Sequence, residues 1–227
     1  MTPPRVSCVI PALNAAAALG EVVGGLRASL AEAFVVIVDD GSRDDTPDVA
    51  QRVGDAVVRF PRNRGKGAAL RAGFGIALDR GADVVVTIDA DGQHDPSYAG
   101  ALVDATRGAD LAIGARDRAA GTMPAARRLT NALSAAAVAR CIGQPIADAQ
   151  SGYRAIRAPL VRSIDPRGDR YEYETEFLIL AARRGYRVGF VPIPTRYDVP
   201  VPSHFRPLRD SARIIGTLWR FNMGMAL

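Results

Sequence analysis

Val84-Val85-Val86-Thr87-Ile88-Asp89-Ala90-Asp91-Gly92-Gln93-His94-Asp95-Pro96 is the stretch on which the fold turns. An apolar, β-branched run from Val84 to Ile88 ends in two carboxylates one residue apart. Such an unbroken run suits a strand covered on both faces, as strands of parallel sheets are. Alternation at the end of the strand predicts that Asp89 and Asp91 point to the same side. Two carboxylates held together repel unless a cation lies between them, and an oxygen donor set of this kind suits Mg²⁺ or Mn²⁺ bridging to a diphosphate. An Asp-Gly turn is also an ordinary way to end a strand, so the weight of the pattern depends on what surrounds it.

Outward from this stretch the first half alternates strands and helices. Val6–Ile10 is an apolar run closed by Pro11, and Ala15–Leu30 has helical composition. Phe34–Val38 is a second run, ending in Asp39-Asp40-Gly41-Ser42. Asp45–Val53 is predicted as a helix with Thr46 as N-cap and Pro47 at its first position. Ala56–Phe60 is a third run, and Lys66–Arg80 reads as a helix. In open α/β sheets ligands bind beyond the carboxyl ends of the strands. Polar clusters fall there three times, at Pro11–Asn14, Asp39–Ser42 and Asp89–Asp91, and one shared site is the economical reading.

After Gly114 the pattern changes. Residues 115–128 are polar and carry Arg116, Arg118, Arg127 and Arg128. An Ala-rich helix is predicted near Asn131–Cys141, another over Glu172–Arg184, and a short strand over Arg187–Pro192. No internal repeat or low-complexity linker interrupts the 227 residues, a length suited to one α/β domain.

The charge is uneven. Residues 1–150 hold 16 basic and 17 acidic side chains, whereas residues 151–227 hold 13 basic and 7 acidic. A basic C-terminal third suits a phosphorylated substrate or an anionic surface. Cys8 and Cys141 form no metal-binding spacing and no disulfide framework, which fits a reducing compartment. The sequence offers no secretory leader and no run of 18 apolar residues that would span a bilayer. Of the 29 basic residues, 28 are arginine and one is Lys66. That lysine lies in Arg62-Asn63-Arg64-Gly65-Lys66-Gly67, a Gly-rich turn opening a helix, where backbone and dipole favour an anion. The G-x-x-x-x-G-K-[ST] spacing is absent, which excludes a P-loop. Asp39 and Asp40 could accept hydrogen bonds from a base or ribose, or they could cap the following helix.

The ordered set Val-Ile-Pro-Ala-Leu-Asn14, Val-Asp-Asp-Gly-Ser42, Asn-Arg-Gly-Lys-Gly67 and Asp-Ala-Asp-Gly-Gln-His-Asp-Pro96 resembles the family-2 glycosyltransferases of the GT-A fold, over about residues 5–115. The resemblance implies an α/β fold with a Rossmann-like, mostly parallel sheet and helices on both faces. It implies a nucleoside-diphosphate sugar held by Pro11, Asn14, Asp39, Asp40, Lys66 and Asp89. It also implies a divalent metal, Mg²⁺ or Mn²⁺, on Asp91 and Asp89, with Gln93 as a further candidate ligand. The segments around Arg116, Arg127, Asp148–Arg154 and Tyr171–Phe177 are similar to the dolichyl- and polyprenyl-phosphate sugar transferases. By that likeness Arg116 and Arg127 hold phosphate groups, Asp148 lies nearest the reacting centre with Asp91, and Glu176 and His204 help to place acceptor and donor. Planar guanidinium forks suit the negative charge that a phosphate acceptor and a diphosphate leaving group bring into one cleft. An acceptor phosphate is already ionised near neutrality, so Asp148 can serve as a base or as a positioning residue.

The implied organisation is a single domain over 1–227, with a nucleotide-sugar half (1–115) and an acceptor half (116–227) ending in an amphipathic tail. Along Arg206–Leu227, Arg206, Arg209, Arg213 and Arg220 share one helical face, while Leu208, Ala212, Ile215 and Trp219 share another. Such a helix lies in an anionic interface or docks on the core by its apolar stripe. The expected enzyme is an inverting, metal-dependent hexosyltransferase of the cell envelope, cytoplasmic and peripheral at the inner face of the membrane. Its expected partners are the donor, a polyprenyl phosphate, an anionic membrane surface, and a second copy or separate membrane subunit; nucleic acid is not among them. A family-2 transferase for a saccharide or other non-lipid acceptor is the alternative, though no Q-x-x-R-W segment is present. A non-catalytic nucleotide-binding subunit is a further alternative, against which Asp89, Asp91 and Asp148 speak. A nucleotidyltransferase is disfavoured because Pro11–Asn14 replaces the Gly-rich basic loop expected there.

Overall fold

The computed structural model describes residues 3–116, 125–194, 213, 215–219 and 221, with backbone only for 125–131 and 133. Its elements are β1 (Val6–Ala12), α1 (Ala16–Ser29), β2 (Phe34–Asp39), α2 (Thr46–Val53), β3 (Ala56–Arg59), α3 (Lys66–Asp79) and β4 (Val84–Thr87). A short 3₁₀ turn, Pro96–Tyr98, leads into α4 (Ala99–Ala105). Then follow β5 (Leu111–Arg116), α5 (Ala125–Ile142), β6 (Arg154–Arg157), α6 (Ala158–Ser163), α7 (Glu172–Arg183) and β7 (Val188–Ile193).

The strands form one sheet of seven in the order β3-β2-β1-β4-β6-β5-β7. β1 pairs in parallel with β2 and β4, β2 with β3, and β5 with β7. The exception is β6, which runs antiparallel to both of its neighbours, β4 and β5. The expected mostly parallel sheet is therefore observed. The antiparallel insertion was not expected, because Arg154-Ala155-Ile156-Arg157 is short and bounded by arginines.

Residues alternate between two cores, as the period of a strand requires. Val9, Val36 and Val38 pack with Leu70, Phe74 and Phe177 of α3 and α7 on one face. Cys8, Ile10, Val35 and Ile37 pack with Leu19, Val22, Leu26 and Leu102 of α1 and α4 on the other. Helices thus cover both faces, which explains why the strands read as continuous apolar runs. Burial also pushes the Cys8 thiol up to about 12, so it behaves as a small hydrophobe.

The start of α2 differs from expectation. Thr46 begins the helix, and its fully buried hydroxyl accepts the Ala15 N–H at 2.7 Å and donates to Asp44 at 2.6 Å. It therefore joins the entry of α1 to that of α2, and caps neither through its own side chain.

Candidate active site

The carboxyl ends of β1, β2 and β4 converge with two segments of the second half, the turn before β6 and the first turn of α7. Their side chains divide into those that build the cleft and those that present charge to it.

Asn14 and the Asp39–Ser42 turn are mostly builders. Asn14 adopts the left-handed conformation, with φ of 49°. Its N–H donates to Ser42 Oγ at 2.9 Å, and its side-chain oxygen accepts the Arg43 N–H at 2.9 Å. Pro11 is in register with Val38, one residue before the end of β1. Asp40 is buried, and its two oxygens accept the Arg64 and Gly65 N–H groups at 2.6 and 2.8 Å. Burial raises its carboxyl above the usual range, against the pull of those two bonds. Asp39 is fully buried and accepts the Ser42 N–H on Oδ1 at 2.9 Å. Arg59 stands 3.3 Å from Asp39 Oδ2 without a well-directed hydrogen bond to that oxygen. Asp39 Oδ2 is thus the one carboxylate oxygen of this pair without a directed hydrogen bond, and it is buried.

The Gly-rich turn does not present an open helix end. At Gly65, with φ of +108°, a Cβ would lie 2.4 Å from the Asp169 carbonyl oxygen, and at Gly67 it would lie 2.7 Å from the Tyr173 Cβ. The Ala68 N–H donates to the Asp169 oxygen at 3.1 Å. These glycines admit residues 168–173. Arg71 fastens the same loop from α3, donating to Asp165, Asp169 and the Pro166 carbonyl at 3.2, 2.9 and 2.7 Å.

β4 stops at Thr87, and residues 90–92 curl into a turn in which Gly92 has φ of +70°. Asp89 and Asp91 therefore come together by this turn and not by the alternation expected of a strand. Lys66, the first residue of α3, lies 2.6 Å from Asp89 Oδ1 and 2.9 Å from Glu174 Oε2. Burial works against each of these charges. The Lys66 ammonium nevertheless holds Asp89 below the ordinary carboxyl range, and the two carboxylates hold Lys66 above the ordinary ammonium range. Asp91 accepts the Gln93 N–H at 3.0 Å. Its carboxyl is pushed up to about 6, by burial first and by the Asp89 charge second. His94 is buried beside Tyr153, with ring centroids 5.7 Å apart, and burial lowers it to about 4, so the imidazole is neutral at pH 7.

Asp148 and Arg116 meet across the cleft. Arg116 donates from Nε to Oδ2 at 2.6 Å and from Nη2 to Oδ1 at 2.9 Å. Asp148 also accepts the Gln150 and Ser151 N–H groups at 2.9 and 3.2 Å. Burial opposes its ionisation, but these bonds and the Arg116 charge outweigh it and hold the carboxyl below its usual range. Beneath them Arg154, fully buried, donates to the carbonyls of Ser151, Glu174 and Ala149 at 2.8, 2.8 and 3.2 Å. It ties the Asp148 loop to α7 and adds a positive charge under the carboxylates.

Glu176 is buried and accepts the Gly168 N–H at 2.9 Å, so it holds the loop that closes on α3. Glu174 and Arg154 had not been singled out individually. A signal was present, because glutamates at 172, 174 and 176 cannot all lie on the outer face of one helix. Arg127 lies in the first turn of α5, and its side chain is outside the described residues. His204 and the tail arginines 206, 209 and 220 also lie outside them. Of the tail, Thr217 and Phe221 are buried, while Ile215 and Trp219 are 64% and 57% exposed. The tail's inner side is therefore not the stripe of Ile215 and Trp219 that the sequence suggested.

The donor set fits one divalent cation shared with a diphosphate. Asp91 is a crowded carboxylate whose ionisation is disfavoured until a cation joins it, and Asp89 and Gln93, two residues to either side, are the further candidates. Among the described residues no three His, Cys, Asp or Glu side chains converge as a cage. Mg²⁺ and Mn²⁺ take one or two carboxylates and leave positions for phosphate and water.

A mostly parallel sheet with its acidic cluster at the strand ends is the architecture of the GT-A glycosyltransferases. Residues 7–165 match the model of Glycosyl transferase family 2, and the chain belongs to that family. It is 35% identical over 200 residues to the undecaprenyl-phosphate mannosyltransferase of Micrococcus luteus, covering 83% of this chain and 82% of that one. It is 35% identical over 204 residues to the polyprenol monophosphomannose synthase of Mycolicibacterium smegmatis, covering 83% and 76%. Among solved structures it resembles glucosyl-3-phosphoglycerate synthase from Mycobacterium tuberculosis in complex with Mn²⁺, UDP and glucosyl-3-phosphoglycerate. That match has a TM-score of 0.72 and 26% identity, and covers 96% of this chain and 80% of that one.

Proposed function

We propose that this chain transfers a sugar from a nucleoside-diphosphate sugar to a polyprenyl phosphate, inverting the anomeric configuration. The observation that carries the reading is the convergence of Asp89, Asp91, Lys66, Arg116 and Asp148 at the strand ends. The names of the relatives that match over most of their length support the lipid-phosphate acceptor.

Asp39 and Asp89 bind the nucleotide, and Pro11 and Asn14 shape the wall against which it lies. Asp91, with Asp89 and Gln93, would hold Mg²⁺ or Mn²⁺, which supplies charge stabilisation to the departing diphosphate. Arg116 and Arg127 receive phosphate groups, and His204 lies in a segment that approaches the donor. Asp148 is a positioning residue. Its oxygens are engaged by Arg116 and two amides, and a carboxyl held low makes a poor base, while an ionised acceptor phosphate needs little base. The phosphate oxygen attacks the anomeric carbon from the face opposite the nucleotide. One displacement forms the new C–O bond as the bond to the diphosphate breaks, and no covalent sugar–enzyme intermediate forms.

Among the described residues no helix is long and apolar enough to cross a membrane. The outward Ile215 and Trp219 and the basic C-terminal third support peripheral contact with an anionic membrane at its cytoplasmic face. The single domain then divides its labour between a donor half, 1–115, and an acceptor half, 116–227.

The second reading is a soluble phosphorylated acceptor, favoured by the likeness to a synthase solved in complex with glucosyl-3-phosphoglycerate. One experiment separates the two. The chain is incubated with UDP- and GDP-sugars and Mn²⁺, and with either a short polyprenyl phosphate in detergent or 3-phosphoglycerate. A lipid-linked sugar of inverted configuration is expected. Transfer to 3-phosphoglycerate alone moves the chain to the second reading, and a retained product or a trapped glycosyl-enzyme removes the single displacement.

A further inference from the structure

Lys66 is the sole lysine among 29 basic residues, and its surroundings give a physical reason for the exception. Its Nζ lies between Asp89 and Glu174, at 2.6 and 2.9 Å. A methyl group on Gly152 would lie 2.6 Å from that nitrogen, 2.7 Å from Asp89 Oδ2 and 3.0 Å from Glu174 Oε1. Groups from α3, the end of β4, the turn before β6 and α7 therefore close on one point. Any side chain at position 152 would strike this cluster, so glycine there leaves the ammonium its room, and a planar guanidinium at position 66 is wider than that ammonium.

Glu174 is costly where it stands. It is buried, and its Oε1 has no hydrogen-bond partner. The guanidinium of Arg154 donates to its backbone carbonyl at 2.8 Å and leaves the carboxylate to Lys66. A buried carboxylate satisfied on one oxygen destabilises a fold relative to an apolar side chain of similar volume. Stability alone does not account for it. Its one directed partner is an ammonium whose other partner is Asp89.

We propose that Glu174 is a positioning residue for donor binding, acting through Lys66 on Asp89. The two carboxylates centre the ammonium, which engages Asp89 Oδ1 and fixes the plane of that carboxylate, so that Oδ2 is presented in one orientation. Without Glu174 the lysine has a single anion and can follow Asp89 as it rotates. The role rests on the reading of Asp89 as a donor-binding residue, and it assigns to α7, in the acceptor half, a part in holding the donor.

The test is a double-mutant cycle with Glu174→Gln, Lys66→Met and the pair. Binding of UDP and of GDP, each with Mn²⁺, is measured by calorimetry on the full chain, alongside melting temperature and separate KM values for donor and acceptor. Glu174→Gln is expected to weaken the better nucleotide about tenfold and raise the donor KM, with the acceptor KM and the melting temperature little changed. On the Lys66→Met background it is expected to add nothing. A Glu174→Gln variant that binds nucleotide as the wild type does overturns the proposal, as does one whose full factor persists without Lys66. Should Lys66→Met not fold, Lys66→Gln takes its place; should neither fold, the split between donor and acceptor KM in Glu174→Gln decides alone. A wild-type chain that binds neither nucleotide instead removes the donor reading of the site, and this role with it.

Discussion

Arg116 and Asp148 are bound to each other by two parallel hydrogen bonds, Nε to Oδ2 at 2.6 Å and Nη2 to Oδ1 at 2.9 Å. The pair spans β5 and the turn before β6, so the guanidinium is held in one plane. Breaking such a buried pair from one side costs about 3–5 kcal/mol, because the remaining charge is left without its partner. Asp148→Asn is expected to lower the melting temperature and reduce kcat/KM by about 100-fold through misplacement of Arg116. Arg116→Lys should reproduce much of that loss, because an ammonium cannot make the two parallel bonds. Additive effects in the double variant would show that the two residues act separately.

Asp91 should show stability and activity moving in opposite directions. Its carboxyl is pushed up to about 6, so at pH 7 the ionised form strains the metal-free protein. Asp91→Asn removes that strain and should stabilise the metal-free chain at pH 7 by as much as about 3 kcal/mol, while abolishing turnover. The sign follows from the raised value. The gain is full above pH 6, shrinks as the pH falls toward the ordinary carboxyl range, and is absent below it. Saturating Mn²⁺ with nucleotide should reverse the order by stabilising the wild type alone. Thermal melts across pH, with and without Mn²⁺ and nucleotide, check all three statements, and an Asn variant with near-normal turnover removes the metal role.

Lys66→Arg tests the fit at Gly152. Twenty-eight arginines elsewhere make it the expected drift in this chain, yet the lysine nitrogen is so close to Gly152 that a methyl group added there would lie 2.6 Å from it. The substitution should impair nucleotide binding about as severely as Lys66→Met. Wild-type binding by the arginine variant would mean that the pocket yields.

Arg127→Ala is expected to raise the acceptor KM several-fold more than the donor KM. Steady-state kinetics with each substrate varied in turn measures the ratio, and equal effects withdraw the acceptor assignment.

Membrane contact can be tested without cutting the chain. Phe221 is buried in the core and its carbonyl accepts from Arg183 at 2.8 Å, so removing the tail would damage the fold itself. Ile215→Ser with Trp219→Ser alters only outward side chains, 64% and 57% exposed. Co-sedimentation of the wild type with anionic vesicles should fall steeply with salt, as expected when each basic residue near the surface contributes roughly 1 kcal/mol. The double serine variant should bind them less at every salt concentration. A wild type that ignores anionic vesicles at low salt ends the membrane reading and leaves the transferase reading standing.

The first half of the chain was readable because each of β1 to β4 is a nearly unbroken apolar run, and the bounds agree closely. The helix expected over Ala15–Leu30 spans Ala16–Ser29, and that expected over Lys66–Arg80 spans Lys66–Asp79. Other features were hidden for physical reasons. Arg154 reads as a surface residue in sequence, yet it is a buried donor to three carbonyls on a strand of four residues. Nothing in the spacing distinguishes Glu174 from Glu176, because their difference depends on Lys66, which approaches α7 from a distant part of the chain. Asp148 and Arg116 were each found, but not as partners, since long-range pairing leaves no trace in spacing. The alternation expected of Asp89 and Asp91 failed because β4 ends two residues before the first of them.

The backward course of β6 has a consequence for anyone who would treat the two halves as exchangeable parts. β5 does not pair with β4; the strand between them, Arg154–Arg157, comes from about forty residues further along the chain. A fragment ending at residue 115 would leave β4 with an unpaired edge and strand β5 without its inner neighbour, an invitation to aggregate. Grafting a new second half onto this first half therefore has to import a strand into the middle of the sheet, and with it the arginine that underpins the cleft. Swapping single loops at the strand ends is the gentler route to a changed specificity.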